Sequence, residues 1–300
     1  MPLRRLLGSL RDAHDILRHT RSAPEALRAL VPGLSRPIVL NETSREPAPL
    51  PPGELAERLA RLRRRLQTAV LDAGGRANYG ALARSDTYAE LEATSAALAR
   101  AHLLLDTDAE RIAFWINLYN ILTLHGVIAL GIERSVMEKP SFFGRVAYRV
   151  DGHVLTLDDI ENGVLRRNAP HPVTGRTLFG KSDPRRALSP GSVDPRIHAA
   201  LVCAARSCPP IALYDAQHLD AQLEAASTGF VEGGVELLAP GRTVRLPLLF
   251  RWYAADFGGE AGVKAFVLRH AGERRAALEQ AFAAGHELAY QRYDWRLNAS

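Results

Sequence analysis

Apolar positions at helical spacing, punctuated by capping and turn residues, divide the chain into recognisable elements. Residues 3–31 read as two short helices, the second opening at "SAPE", where Ser22 can cap and Glu25 can close a capping box. The polar, proline-rich stretch "NETSREPAPLPPGE" (41–54) reads as a linker. Leu55, Leu59, Leu62, Leu66 and Val70 then fall on one face of an amphipathic helix over 55–74, packing on the main body or on a second copy of the chain. The segment from Glu110 to Gly131 is apolar nearly all round, with a capping box at Thr107 and Glu110, which predicts a central buried helix.

Shorter elements follow. "RVAYRVDGHVLTL" predicts a hairpin turning at Asp151-Gly152, and "TLDDIENGVLRRN" a short helix capped by Thr156. "IHAALVCA" is an apolar run of strand length, and "AQHLDAQLEAASTGFV" returns to helix. A second hairpin is expected around Pro240-Gly241, then "LLFRWYAADF", two alanine-rich helices and a closing strand in "ELAYQRYDWRLN". Hairpins without regular strand–helix alternation predict an α+β fold: a central buried helix and other helices packed on an antiparallel sheet, with an N-terminal helical extension. The expected divisions are an extension at 1–40, a linker at 41–54, the amphipathic helix at 55–74 and a main domain at 75–300.

Composition narrows the function classes. The N-terminal 74 residues hold 13 arginines and no lysine against 8 carboxylates, so the whole formal charge of +5 resides there. No aromatic residue interleaves with those arginines, which argues for a solvated helical face rather than nucleic-acid binding. Two cysteines are too few for a secreted disulfide framework, and no apolar run approaches the roughly 18 residues of a membrane span. The expectation is a cytoplasmic protein with no membrane contact. A phosphate loop and a G-x-G-x-x-G run are both missing, and C-x4-C is the wrong spacing for zinc or for a redox C-x-x-C pair, so neither a metal nor a cofactor is expected.

Chemistry concentrates in two places. On the predicted central helix, Glu110, Asn117, Asn120 and His125 form one polar stripe, which must serve a site or be satisfied by loop backbone and core partners. In "DPRIHAALVCAARSCPP" (194–210), Cys203 lies within the apolar run and reads as a core thiol. Cys208 follows it beside Arg206 and before two prolines, a setting that can favour thiolate. A nucleophilic Cys208 would need a base, with His198, His125 and His153 as candidates.

Together "ERIAFWINLYNILTLHGVI", "VLTLDDIENGVLRRN", "DPRIHAALVCAARSCPPI", "WYAADFG" and "YDWRLN" resemble the domain-of-unknown-function family 547 over about residues 75–298. That resemblance implies signature positions at Trp115, Asn117, Tyr119, Asn120 and His125, at Glu161, Asn162 and Arg166, and at Asp194, Arg196, His198, Ser207, Cys208 and Pro209. The chain departs from the family at Val202 and Ala205, where asparagine and glycine are frequent. No activity is implied for the family as a class.

Two functions remain open. In a thiol-dependent hydrolase or acyl transferase, Cys208 attacks a carbonyl and His198 or His125 acts as base. Asn117 or Asn120 orients the base or stabilises the oxyanion, and Glu161, Arg166 and Arg206 contact a small molecule or peptide, the arginines taking its carboxylate or phosphate. In a non-catalytic binding or scaffold domain, the N-terminal helices would bind a protein partner or form a homodimer. Glu161 would then pair with an arginine, and Cys208 would be sealed behind Pro209 and Pro210.

Overall fold

A computed structural model describes residues 36–42, 52–69, 76–238 and 242–300. The two helices expected over 3–31 and most of the proline-rich stretch lie outside these residues. Helix α1 spans Pro52–Ala69, α2 Tyr79–Ala83, α3 Asp86–Leu98 and α4 Asp108–Ala129. The Thr107 hydroxyl accepts from the Glu110 amide and the Glu110 carboxylate accepts from the Thr107 amide, so the expected capping box starts α4. Helix α4 is long and apolar enough to cross a membrane by length and composition, yet 72% of its most apolar window is buried inside the fold, as in a core helix.

Leu55, Leu62 and Leu66 of α1 are buried in the same core as Trp115, Ile116 and Leu122 of α4. The amphipathic face therefore packs intramolecularly. Four of the five α1 arginines reach carboxylates: Arg58 pairs with Glu54, Arg61 and Arg65 with Glu90, and Arg63 with Asp215.

The sheets are small and mixed. Strand β1 (Ile38–Val39) runs parallel to β2 (Val146–Val150), which pairs antiparallel with β3 (His153–Thr156). The β2–β3 hairpin turns where expected, with Asp151 and Gly152 both at positive φ. Asn41, inside the stretch read as linker, is buried. Its side chain bonds Arg149 N, Arg149 O and Ser95 O. Residues 36–42 thus pack along the edge of this sheet.

After β3, Thr156 and Asp159 cap one another and open a wide π-helical turn, Asp159–Leu165, closed by Arg166 N donating to Glu161 O. "IHAALVCA" does not form the expected strand. Asp194 caps a 3-10 turn at Pro195–Ala199, and residues 200–214 continue as irregular chain, turning at 204–208 and clamped by side chains. Helix α6 spans Leu219–Gly234, following the four-residue α5 at Phe142–Arg145. The second sheet orders β4 (Glu236–Leu238), β5 (Thr243–Leu246) and β6 (Glu287–Tyr290), with β5–β6 parallel. The expected α+β class holds, but among the described residues the antiparallel sheet is two three-stranded sheets, each with one parallel pair. With α7 (Leu249–Trp252), α8 (Gly259–Arg269) and α9 (Arg275–Ala283), the second sheet surrounds its own core of Val244, Leu246, Phe250, Phe266 and Val267. The site lies where these two cores meet.

Candidate functional site

A cavity of about 160 Å³ opens between the two cores. Tyr119 of α4, Phe142 and Phe143 of α5, and Glu161 and Asn162 of the π-helical turn line one side. His198 comes from the 3-10 turn, Cys203 and Cys208 from the segment after it, Trp252 and Tyr253 from the end of α7, and Tyr293 and Trp295 from the segment after β6.

Both cysteines reach this cavity, and they touch. Their sulfurs are 2.7 Å apart, and the Tyr293 hydroxyl lies 3.1 Å from Cys203 Sγ and 3.2 Å from Cys208 Sγ. Cys208 Sγ also accepts from the Cys203 backbone amide at 3.2 Å. Burial pushes the Cys208 thiol up, but the hydrogen bonds from Cys203, Tyr293 and backbone outweigh it, and Cys208 lies below its ordinary value. The hydrogen bond to Cys208 and then burial drive Cys203 well above its own. The pair is therefore biased so that Cys208 gives up its proton more readily than Cys203. Cys203 is thus part of the cavity wall, where the apolar run had suggested an inert core thiol.

The loop joining the sulfurs is held from both sides. Ala204 is in the left-handed region at φ 63°, and Ala205 bridges Leu297. Arg206 N donates to Arg296 O, and Ser207 Oγ accepts from Asp294 N. Below it, Asn120 donates to Ala200 O and Ala212 O and accepts from Val202 N, gripping the chain before and after the loop. Asn117 clamps Tyr214 in the same way through its N–H and C=O groups. The polar stripe of α4 is satisfied by loop backbone, and neither asparagine lines the cavity. His125 is also remote, buried against Tyr148 with Nδ1 2.7 Å from the hydroxyl, and burial lowers its pKa to about 4.

His198 faces the cavity from the capped 3-10 turn. Its Nε2 is 2.8 Å from Asp256 Oδ2, and its ring stacks on Tyr253 with centroids 3.9 Å apart. Arg166 grips the same carboxylate with two N–H groups, at 2.5 and 2.9 Å, while Nη1 reaches Asn162 Oδ1 and Pro170 O. Side-chain exposures of 3% for Arg166, 5% for Asp256 and 2% for His198 put this triad in the interior. Burial alone would raise the Asp256 carboxyl, but His198 and Arg166 hold it down at about 2. Asp256 fixes the ring with Nε2 committed to the carboxylate. His198 and Cys208 share the cavity but not a hydrogen bond, since Cys208 is bonded to Cys203 and Tyr293.

The expected anion-binding arginines are elsewhere. Arg166 is consumed by Asp256, and Arg206 is exposed outside the cavity lining. Glu161 does line the cavity, but it accepts from the Tyr253 hydroxyl at 2.5 Å instead of pairing with an arginine. Sequence reasoning did not single out Asp256, Tyr253, Tyr293, Trp252 or Trp295 as site residues. Asp256 carried a usable signal, a lone carboxylate inside the aromatic run "FRWYAADF".

Residues 104–231 match the family model described as "Protein of unknown function, DUF547". The chain resembles the DUF547 family. The match is shorter than the 75–298 span suggested by the motifs. It includes the two cysteines, His198, Glu161 and Arg166 but stops short of Asp256 and Tyr293. Neither a curated protein nor a solved structure matches the chain. Among the described residues, no group of three or more His, Cys, Asp or Glu side chains could hold a metal ion.

Proposed function

We propose that this DUF547-like chain is a thiol-dependent hydrolase or acyl transferase whose active site is the cavity between the two cores. The observation that carries this reading is the set of donors converging on Cys208 Sγ: the Cys203 amide, the Cys203 thiol and the Tyr293 hydroxyl. A thiolate stabilised at a cavity wall is a nucleophile ready before substrate arrives. It would attack a substrate carbonyl, forming a thioester as the leaving group departs with a proton. Water would then cleave the thioester and regenerate the thiol.

His198 would serve both proton transfers. Because it faces Cys208 across the cavity without bonding it, the substrate or water occupies the space between them. The Asp256–His198 contact fixes which nitrogen is available, as a triad carboxylate does for its imidazole. Asn120 acts in this scheme as a positioning residue, through the chain on both sides of the cysteine loop. The scaffold alternative called for a sealed Cys208 and an arginine-paired Glu161, whereas both residues line the cavity.

The test is the rate of iodoacetamide alkylation against pH on the intact chain. Arg206 lies between the thiols, so trypsin separates the two labelled peptides. Cys208 is expected to react with an apparent pKa below the ordinary ~8.5, and Tyr293→Phe to move that value up. A p-nitrophenyl ester should give a burst of about one product per chain that Cys208→Ala abolishes. A Cys208 that alkylates only on unfolding, or titrates at or above the ordinary value, would overturn the reading.

A further inference from the structure

The C-x4-C spacing argued against a redox pair, yet the fold brings the two sulfurs to 2.7 Å. We propose that Cys203 and Cys208 form a reversible dithiol–disulfide site whose oxidant is a hydroperoxide. Three observations on geometry support it. The sulfurs are in contact and need to approach by well under 1 Å to reach the ~2.05 Å of a disulfide. Both line a cavity of about 160 Å³, large enough to admit a small peroxide. The loop between them is held in register by the Ala205–Leu297 bridge and the Arg206–Arg296 hydrogen bond, so the second thiol is presented to the first at high effective concentration.

The chemistry assigns each sulfur a part. Cys208, with hydrogen bonds from the Cys203 amide and the Tyr293 hydroxyl, is the attacking thiolate. It displaces alkoxide from the peroxide O–O bond, becoming a sulfenic acid as the alkoxide takes a proton and leaves as an alcohol, or as water for hydrogen peroxide. Cys203 sulfur then attacks Cys208 sulfur, the S–S bond forms, and the sulfenic oxygen leaves as water with the Cys203 proton. Two thiols lose two electrons and one peroxide gains them. A dithiol such as dithiothreitol reverses the reaction by exchange. With respect to the proposed acyl chemistry, and resting on that reading, the disulfide is an off state, since it masks the nucleophile.

The test uses the full chain, whose two cysteines are the only ones present. Treatment with one equivalent of hydrogen peroxide should lower the intact mass by about 2 Da, without crosslinking chains, and remove both titratable thiols. Dithiothreitol should restore them. Cys203→Ser should instead gain about 16 or 32 Da at residue 208. Acid gains of that size on the unsubstituted chain, interchain dimers, or two thiols persisting after peroxide would overturn the proposal. The outcome is independent of the acyl reading: a disulfide that forms while Cys208 alkylates with an ordinary pKa keeps this inference and removes the other. A low-pKa Cys208 that never pairs with Cys203 does the reverse.

Discussion

Replacing Asp256 by Asn isolates what the buried triad contributes. The change keeps the side chain's size and one oxygen but removes the charge that faces Arg166 and His198. The Asp256 carboxyl is held at about 2 against an ordinary 3.8, a difference of nearly two units, which at ~1.36 kcal/mol per unit corresponds to about 2.5 kcal/mol of stability. Because the folded value is depressed, this contribution is fully present above pH 4 and is lost as pH falls through about 2. The variant also leaves the Arg166 guanidinium, 3% exposed, without its counter-charge, and breaking a buried pair in this way costs about 3–5 kcal/mol. The two figures describe overlapping parts of one interaction, so the expected loss is about 3 kcal/mol near neutral pH. Urea unfolding followed by tryptophan fluorescence measures it directly, since Trp252 and Trp295 stand at the cavity. The gap between the two proteins should shrink between pH 4 and pH 2. A loss below about 1 kcal/mol, or a gap independent of pH in that window, would refute the reading of Asp256 as the buried counter-charge of Arg166 and His198.

Two further outcomes follow from single residues. His125, neutral and buried with a folded pKa of about 4, should cost the native state about 2 kcal/mol between pH 7 and pH 5, as the unfolded chain takes up a proton that the folded chain refuses. A His125→Leu variant should lose that slope in pH-dependent urea unfolding. At Gly163 in the π-helical turn, a Cβ would come within 2.3 Å of the Phe179 ring, which is itself covered by the Arg185 guanidinium at 4.2 Å. Gly163→Ala should therefore cost about 1–3 kcal/mol in thermal or urea unfolding.

What the sequence disclosed and what it hid divide along physical lines. Helix α4, its capping box and the Asp151-Gly152 hairpin were legible because each is specified by neighbours within a few residues. "IHAALVCA" was misread as a strand because its backbone partners are side chains, Asn120 above all, from a helix some eighty residues earlier. A periodicity argument has no access to that contact. Cys208 and His198 could be nominated from their residue types and neighbours, and Glu161 from the family resemblance. Their partners Tyr293, Asp256 and Tyr253 come from a segment that only the tertiary fold delivers to the site. The same limit explains Cys203: spacing measures distance along the chain, and the left-handed Ala204 bends that chain back on itself.

The C-terminal segment that ties down the cysteine loop has a consequence for the order of assembly. Tyr293 lies 85 positions beyond Cys208 in the chain, and Arg296, Leu297 and Asn298 pair with the loop from just as far away. During synthesis the two sulfurs leave the ribosome well before Tyr293 and the residues that tie down their loop. At ~5–20 residues per second, Cys208 spends about 4–17 seconds as a loose thiol on a nascent chain. Helix α4 and its core can gather in that interval, while the reactive end of the molecule waits for the segment from Tyr293 to Asn298. Maturation of the site is thus a late event in the life of each chain, and the early thiols are most exposed to chance oxidation before the fold is complete.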